Sequence, residues 1–112
     1  MSTAMLEVRN LTRVYRLGNV NVNALVEVSF NVPEGRVVCI TGKSGSGKST
    51  LLHQLGLLDR PTSGQVFFNG QEVTRLSDSA RSRLRLNYLG YVFQEFALLQ
   101  ELTATRMCTC RV

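Results

Sequence analysis

Lysine is nearly missing from this chain: of 13 basic residues in 112, only Lys43 and Lys48 are lysines, and both fall inside residues 42–50. Tryptophan is absent, proline occurs twice, and His53 is the single histidine. One histidine, with no nucleophile arranged beside it in sequence, gives neither a nucleophile–base pair nor a histidine metal cluster; its place in an apolar segment reads as a helix-surface position. Cysteine is scarce too. Three residues, Cys39, Cys108 and Cys110, are an odd count with one member in an apolar run, which argues against a disulfide framework. Cys108-Thr109-Cys110 lacks the second ligand pair of a zinc site. Long apolar runs are also missing. Val37-Val38-Cys39-Ile40 is typical of the longest, far below the roughly 20 residues a membrane span needs. The start, Met1 to Asn10, shows no basic region followed by an apolar stretch, so no signal peptide is expected. The net charge is +5, yet no basic stripe with interleaved aromatics exists, so nucleic acid is not an expected partner. Arg81, Arg83 and Arg85 form the one local basic group, read as a solvated helix face.

What is present is a globular composition, 44% hydrophobic and 19% charged, at a length that suits one domain. Leu6–Asn10 and Val26–Val32 alternate apolar and polar residues as half-buried strands do. Val37–Thr41 is a continuous apolar run, the pattern of a parallel strand covered on both faces. Leu51, Leu52, Leu55 and Leu58 lie at helical spacing, and Pro61 is expected to stop that helix. Gln65–Phe68 reads as a strand, Asn69-Gly70 as a tight hairpin turn, and Glu72–Thr74 as the returning strand. Ser77 or Asp78 is placed to cap a second helix carrying Leu76, Ala80 and Leu84; Tyr88–Phe93 reads as a further strand. The order predicts an α/β fold.

The two lysines belong to one motif. Residues 42–49 fit G-x-x-x-x-G-K-[ST], with Gly42, Gly47, Lys48 and Ser49 at the fixed positions. Glycines let successive N–H groups turn inward to make an anion-binding concavity, and a helix beginning near Lys48 adds its positive end. Lys48 can reach the β- and γ-phosphates of a nucleotide, Ser49 can give its hydroxyl to Mg²⁺, and Thr50 is a further phosphate contact. The lining is therefore Gly42, Lys43, Ser44, Gly45, Ser46, Gly47, Lys48, Ser49 and Thr50. A chance Gly/Ser turn is the bland alternative; an apolar run before the loop and an apolar helix after it argue against that. Because no lysine stands outside the loop, an Asn-Lys-x-Asp guanine-recognition motif cannot be formed.

Further landmarks narrow the family. "VYRLG" puts Tyr15 27 residues before Gly42, "LLHQLGLLDRPTSGQVFFNGQ" follows the loop, and "YVFQEFALL" contains Gln94. Across residues 5–105 the chain resembles the ATP-binding subunits of ABC transporters, and most of all the lipoprotein-releasing and macrolide-exporter subgroup. The resemblance implies the N-terminal part of a P-loop NTPase: an antiparallel β subdomain with an incomplete parallel core sheet. It implies ATP and Mg²⁺ as ligands, with Tyr15 stacked on adenine and Gln94 positioning Mg²⁺ and the attacking water. It also implies an integral-membrane permease and a second ATP-binding subunit as partners, at the cytoplasmic face of the cell membrane. Phe96, Leu98 and Leu99 fall where the family meets its permease.

Other family landmarks are not found. Hydrolysis there requires an apolar strand ending Asp-Glu, a signature Ser-Gly-Gly-Gln and a switch histidine. Asp59 ends an apolar run but is followed by Arg60-Pro61, with no second acid. The reading is thus 1–105 as a partial nucleotide-binding domain, with 106–112 as an atypical tail. A frameshift with an early stop would produce such a tail; a natural short tail is the alternative. Hydrolysis by this chain alone is expected to be negligible. The competing functions are a P-loop phosphotransferase, for which Arg81–Arg85 imitates a lid, and a non-catalytic truncated product.

Overall fold

A computed structural model of the protein describes residues 4–92. Its framework is one antiparallel hairpin of two long strands, β1 (Ala4–Leu17) and β2 (Val20–Pro33), joined at Gly18-Asn19. Both are much longer than their alternating segments, and the register between them shifts at four places, two of which break the two-residue period in the middle of the hairpin. Pairing runs Val8 with Phe30, Leu11 with Val28, then Arg13 with Leu25, so β1 bulges between Val8 and Leu11 and β2 bulges between Leu25 and Val28. Asn10 and Glu27 take positive φ at these bulges, 48° and 46°. Their backbone N–H groups leave the ladder and donate instead to Ser29 Oγ at 2.8 Å and Thr12 Oγ1 at 3.1 Å. The bulge places Val8 and Leu11, three apart, on the same buried face.

β3 (Ser63–Phe68) pairs with the other edge of β1, and β4 (Gln71–Glu72) follows it across the Asn69-Gly70 turn, giving the order β2-β1-β3-β4. Gly64 must be glycine. A Cβ there would lie 2.3 Å from Asn10 O and 2.6 Å from Leu11 Cα, against the β1 bulge.

Two helices accompany this sheet, the first placing Leu51 in its core and the second packing Leu84 against it. In α1 (Lys48–Leu55), Leu51 and Gln54 are buried while Leu52 faces outward. The helix ends well before Pro61, through backbone bonds from Leu57 N to Gln54 O (3.2 Å) and Leu58 N to His53 O (2.9 Å). That is a Schellman ending. Its left-handed position is held by Leu57 at φ 58°, not by glycine. α2 (Asp78–Tyr88) starts at Ser77, whose Oγ accepts from Ala80 N at 3.3 Å. It runs through Tyr88, so the strand expected to begin there does not: Leu89–Val92 is irregular, and Phe93 lies outside the described residues.

The core is Val8, Leu11, Leu25, Leu51, Leu57, Val66 and Val73. Val37–Thr41 pairs with no strand among the described residues, and Val37 is fully exposed.

Candidate functional site

The loop at 42–47 leads into α1. Ser46 N donates to Lys43 O at 3.1 Å, closing a turn at its centre. Gly47 then caps the helix with φ 97°, ψ 10°. A side chain at this position is doubly excluded: the backbone is left-handed, and a Cβ would lie 2.3 Å from the carbonyl oxygen of Ala24 on β2. The site is thereby pinned to the hairpin.

No side chain caps α1, and its first turn holds no acid. The first backbone bond of the helix runs from Leu51 N to Gly47 O at 2.9 Å. The N–H groups of Lys48, Ser49 and Thr50 are accordingly donors without an intrahelical acceptor at the positive end of the helix. Lys48 Nζ lies across the loop, donating to the carbonyls of Gly42 and, at 2.9 Å, Lys43. Among the described residues neither lysine forms an ion pair with a carboxylate. A cradle of backbone donors with an unneutralised ammonium and no acid fits a polyanion such as a nucleotide's phosphate chain.

Tyr15 lies on β1, paired with Val22, while the β2 carbonyl that meets Gly47 belongs to Ala24. The tyrosine thus stands one strand across and a short step along from the loop. Its hydroxyl donates to Asp59 Oδ2 at 3.0 Å, and the Arg13 guanidinium covers one ring face, 4.4 Å from the centroid.

Asp59 is the residue that the sequence reading set aside. Its Oδ2 also accepts from Arg13 Nε at 2.9 Å and Gln54 Nε2 at 3.1 Å, while Oδ1 accepts from Arg60 N at 2.8 Å. Burial pushes the carboxyl up, but the Arg60 N–H, the Tyr15 hydroxyl and the Arg13 guanidinium together hold it below the usual carboxylate range. Its partners Tyr15 and Arg13 are 44 and 46 positions away, so no local pattern marks the cluster.

The arginine group departs from the expected solvated face. Arg81 is buried, not solvated; its Nη2 donates to Leu57 O at 2.9 Å and Asp59 O at 2.8 Å. Arg85 Nη1 adds a bond to Leu57 O at 2.6 Å, so two of the three clustered arginines are tied to the end of α1 instead of facing water. His53 is half-buried, with its ring 6.0 Å from that of Tyr91. Gln94, Phe96, Leu98, Leu99 and the segment 106–112 lie outside the described residues. A cavity of about 650 Å³, mostly apolar and lined by residues such as Leu6, Leu55, Phe68 and Leu89, is separate from the loop: none of residues 42–50 lines it.

A strand-pinned glycine loop opening into a helix is the phosphate-binding device of P-loop proteins. Comparison with known families narrows this: the ABC transporter family profile matches residues 25–107, and the chain belongs to that family. An uncharacterized ABC transporter ATP-binding protein of Thermotoga maritima is 51% identical over 100 residues, which are 89% of this chain and 43% of that protein. Among solved structures, the ATP-binding cassette MJ0796, a dimer in a post-hydrolysis state bound to ADP and Pi, superposes with a TM-score of 0.87 at 40% identity. That match covers 91% of this chain and 44% of the cassette. The cbiO1 subunit of Clostridium perfringens, part of the transporter complex cbiONQ, superposes with a TM-score of 0.63 at 29% identity, over 73% of this chain and 31% of its own. The fold is therefore that of a P-loop ATPase cassette, and the chain spans less than half the length of these relatives.

Proposed function

We propose that this chain is the nucleotide-gripping part of an ABC transporter ATP-binding subunit of the lipoprotein-releasing or macrolide-exporter type. Gly42–Thr50 hold the phosphates of ATP, Ser49 supplies a hydroxyl to Mg²⁺, and Tyr15 stacks on adenine. Gln94 completes the metal's surroundings. In the whole protein a second ATP-binding subunit and a membrane permease are the partners, at the cytoplasmic face of the membrane. Among the described residues no helix is long and apolar enough to cross a membrane, which suits a peripheral subunit.

One observation carries this reading: Gly47, closed to a side chain by Ala24 O, opens α1 with no capping side chain and no acid in its first turn, while the ammonium of Lys48 reaches back across the loop to the Gly42 and Lys43 carbonyls. Equilibrium dialysis with labelled ATP tests it. Saturable binding by the wild-type chain that falls at least tenfold in Lys48→Ala is expected; equal binding by both would refute a phosphate site at this loop. Turnover should be negligible with the chain alone, since neither an Asp-Glu strand end nor a Ser-Gly-Gly-Gln signature occurs in the sequence. Lys48-dependent release of phosphate would contradict that part.

A further inference from the structure

Asp59 joins two parts of the site that the sequence keeps apart. Gln54 lies on α1, one and a half turns beyond Ser49, and is buried to 2% exposure; its amide Nε2 donates to Asp59 Oδ2 at 3.1 Å. Its Oε1 has no partner, so this one bond sets the direction of the amide. On the other side the same oxygen accepts from the Tyr15 hydroxyl at 3.0 Å and from Arg13 Nε at 2.9 Å. Arg13, two residues before Tyr15 on β1, lays its guanidinium over one face of the phenol ring. A tyrosine in a half-buried site would otherwise turn about its side-chain bonds. Here the ring is fixed at its far end by a carboxylate and on one face by a cation, and the same carboxylate is fixed to the phosphate-loop helix.

We infer that Asp59 and Arg13 are positioning residues for nucleotide recognition: they hold the Tyr15 ring as a rigid platform for the base, at a set distance from the phosphate cradle. This rests on the ATP-binding reading above. Asp59 touches neither phosphate nor base in this scheme. It acts through Tyr15 on one side and Gln54 on the other, and the Arg13 guanidinium closes one ring face so that a base stacks on the opposite one.

The test separates the two ends of the ligand. Binding of MgATP and of Mg-tripolyphosphate, which has phosphates and no base, is measured for wild type, Asp59→Asn and Tyr15→Phe. Tyr15→Phe keeps the ring and deletes only the hydroxyl that Asp59 holds. The expected result is that both variants lose about two- to tenfold in ATP affinity, the worth of one to two hydrogen bonds, while tripolyphosphate binds as in wild type. Retained tripolyphosphate binding also shows that the variants fold. Unchanged ATP affinity in both variants would overturn the proposal, and so would a parallel loss of both ligands, which marks a merely structural role. Failure of wild type to bind tripolyphosphate is a different outcome: it removes the phosphate-site reading itself, and the proposal with it.

Discussion

At the scale of single residues, two glycines of the same loop make opposite demands. Gly47 and Gly45 both have positive φ, 97° and 79°, but a Cβ on Gly47 meets Ala24 O at 2.3 Å, whereas one on Gly45 meets nothing within 4 Å. Gly45→Ala should therefore cost only the left-handed backbone term, about 1 kcal/mol. Gly47→Ala adds a backbone collision and should cost about 3 kcal/mol or more, with nucleotide binding lost. Urea titration of the two variants checks this, and equal losses would show that the hairpin does not pin the loop. Asp59 makes a second prediction. Its folded pKa is depressed, so its stabilising effect is present above the unfolded value of about 3.9 and is lost as pH falls below it, through the folded value. Asp59→Asn should flatten the acid limb of the stability profile and leave the neutral-to-alkaline limb unaltered in shape. The phosphate loop was legible in sequence because its chemistry is local, nine consecutive positions. The Asp59 cluster was not: Tyr15 was marked by the family resemblance, but Asp59 meets it and Arg13 across more than forty residues, and Asp59 or Arg13 alone reads as an ordinary charged residue.

At the scale of elements, the long hairpin shows how an alternating pattern hides a bulged strand. Leu11 follows Val8 by three and Val28 follows Leu25 by three, so period-two reading breaks at both places although the backbone remains extended on either side. Ser29 and Thr12 hydroxyls satisfy the displaced amides, a role that short polar residues in a strand do not announce. The β3–β4 turn was readable, because Asn69-Gly70 dictates its own geometry with φ of 51° and 82°, but the returning strand is Gln71–Glu72, not the expected Glu72–Thr74. The end of α1 was not. Its left-handed residue is a leucine, 4% exposed, kept in place by core burial and by the guanidinium groups of Arg81 and Arg85 on its carbonyl. This separates the three clustered arginines. Arg81→Met should destabilise the protein by about 2–3 kcal/mol, because charged bonds to two carbonyls are lost, whereas exposed Arg83→Ala should stay within about 0.5 kcal/mol. Thermal or urea unfolding of the pair decides it; equal effects would mean that α2 does not clamp the end of α1.

At the scale of the whole molecule, a well-built antiparallel layer coexists with uncovered apolar surface. Val37, Val38 and Val92 are 101%, 52% and 96% exposed, and the Val37–Thr41 run has no strand partner among the described residues. A buried parallel strand needs neighbours on both edges, and the apolar cavity bordered by Leu55, Phe68 and Leu89 adds surface of the same kind. Unpaired backbone and contiguous apolar area favour association. The 112-residue chain should therefore self-associate at micromolar concentration and bind a hydrophobic dye; a monomer by light scattering with a sharp, reversible melt would contradict this. Fold class was readable from the order of elements, and the incomplete parallel sheet that the family resemblance implied matches the bare edges of that run among the described residues. The central claim concerns backbone amides, and it is tested most directly by a two-dimensional amide spectrum of the ¹⁵N-labelled chain titrated with MgATP. The account predicts that the largest shifts fall on the N–H groups of residues 42–50, with Lys48, Ser49 and Thr50 among them, and that Lys48→Ala abolishes them. Shifts absent from that segment, or centred elsewhere while ATP demonstrably binds, would contradict it.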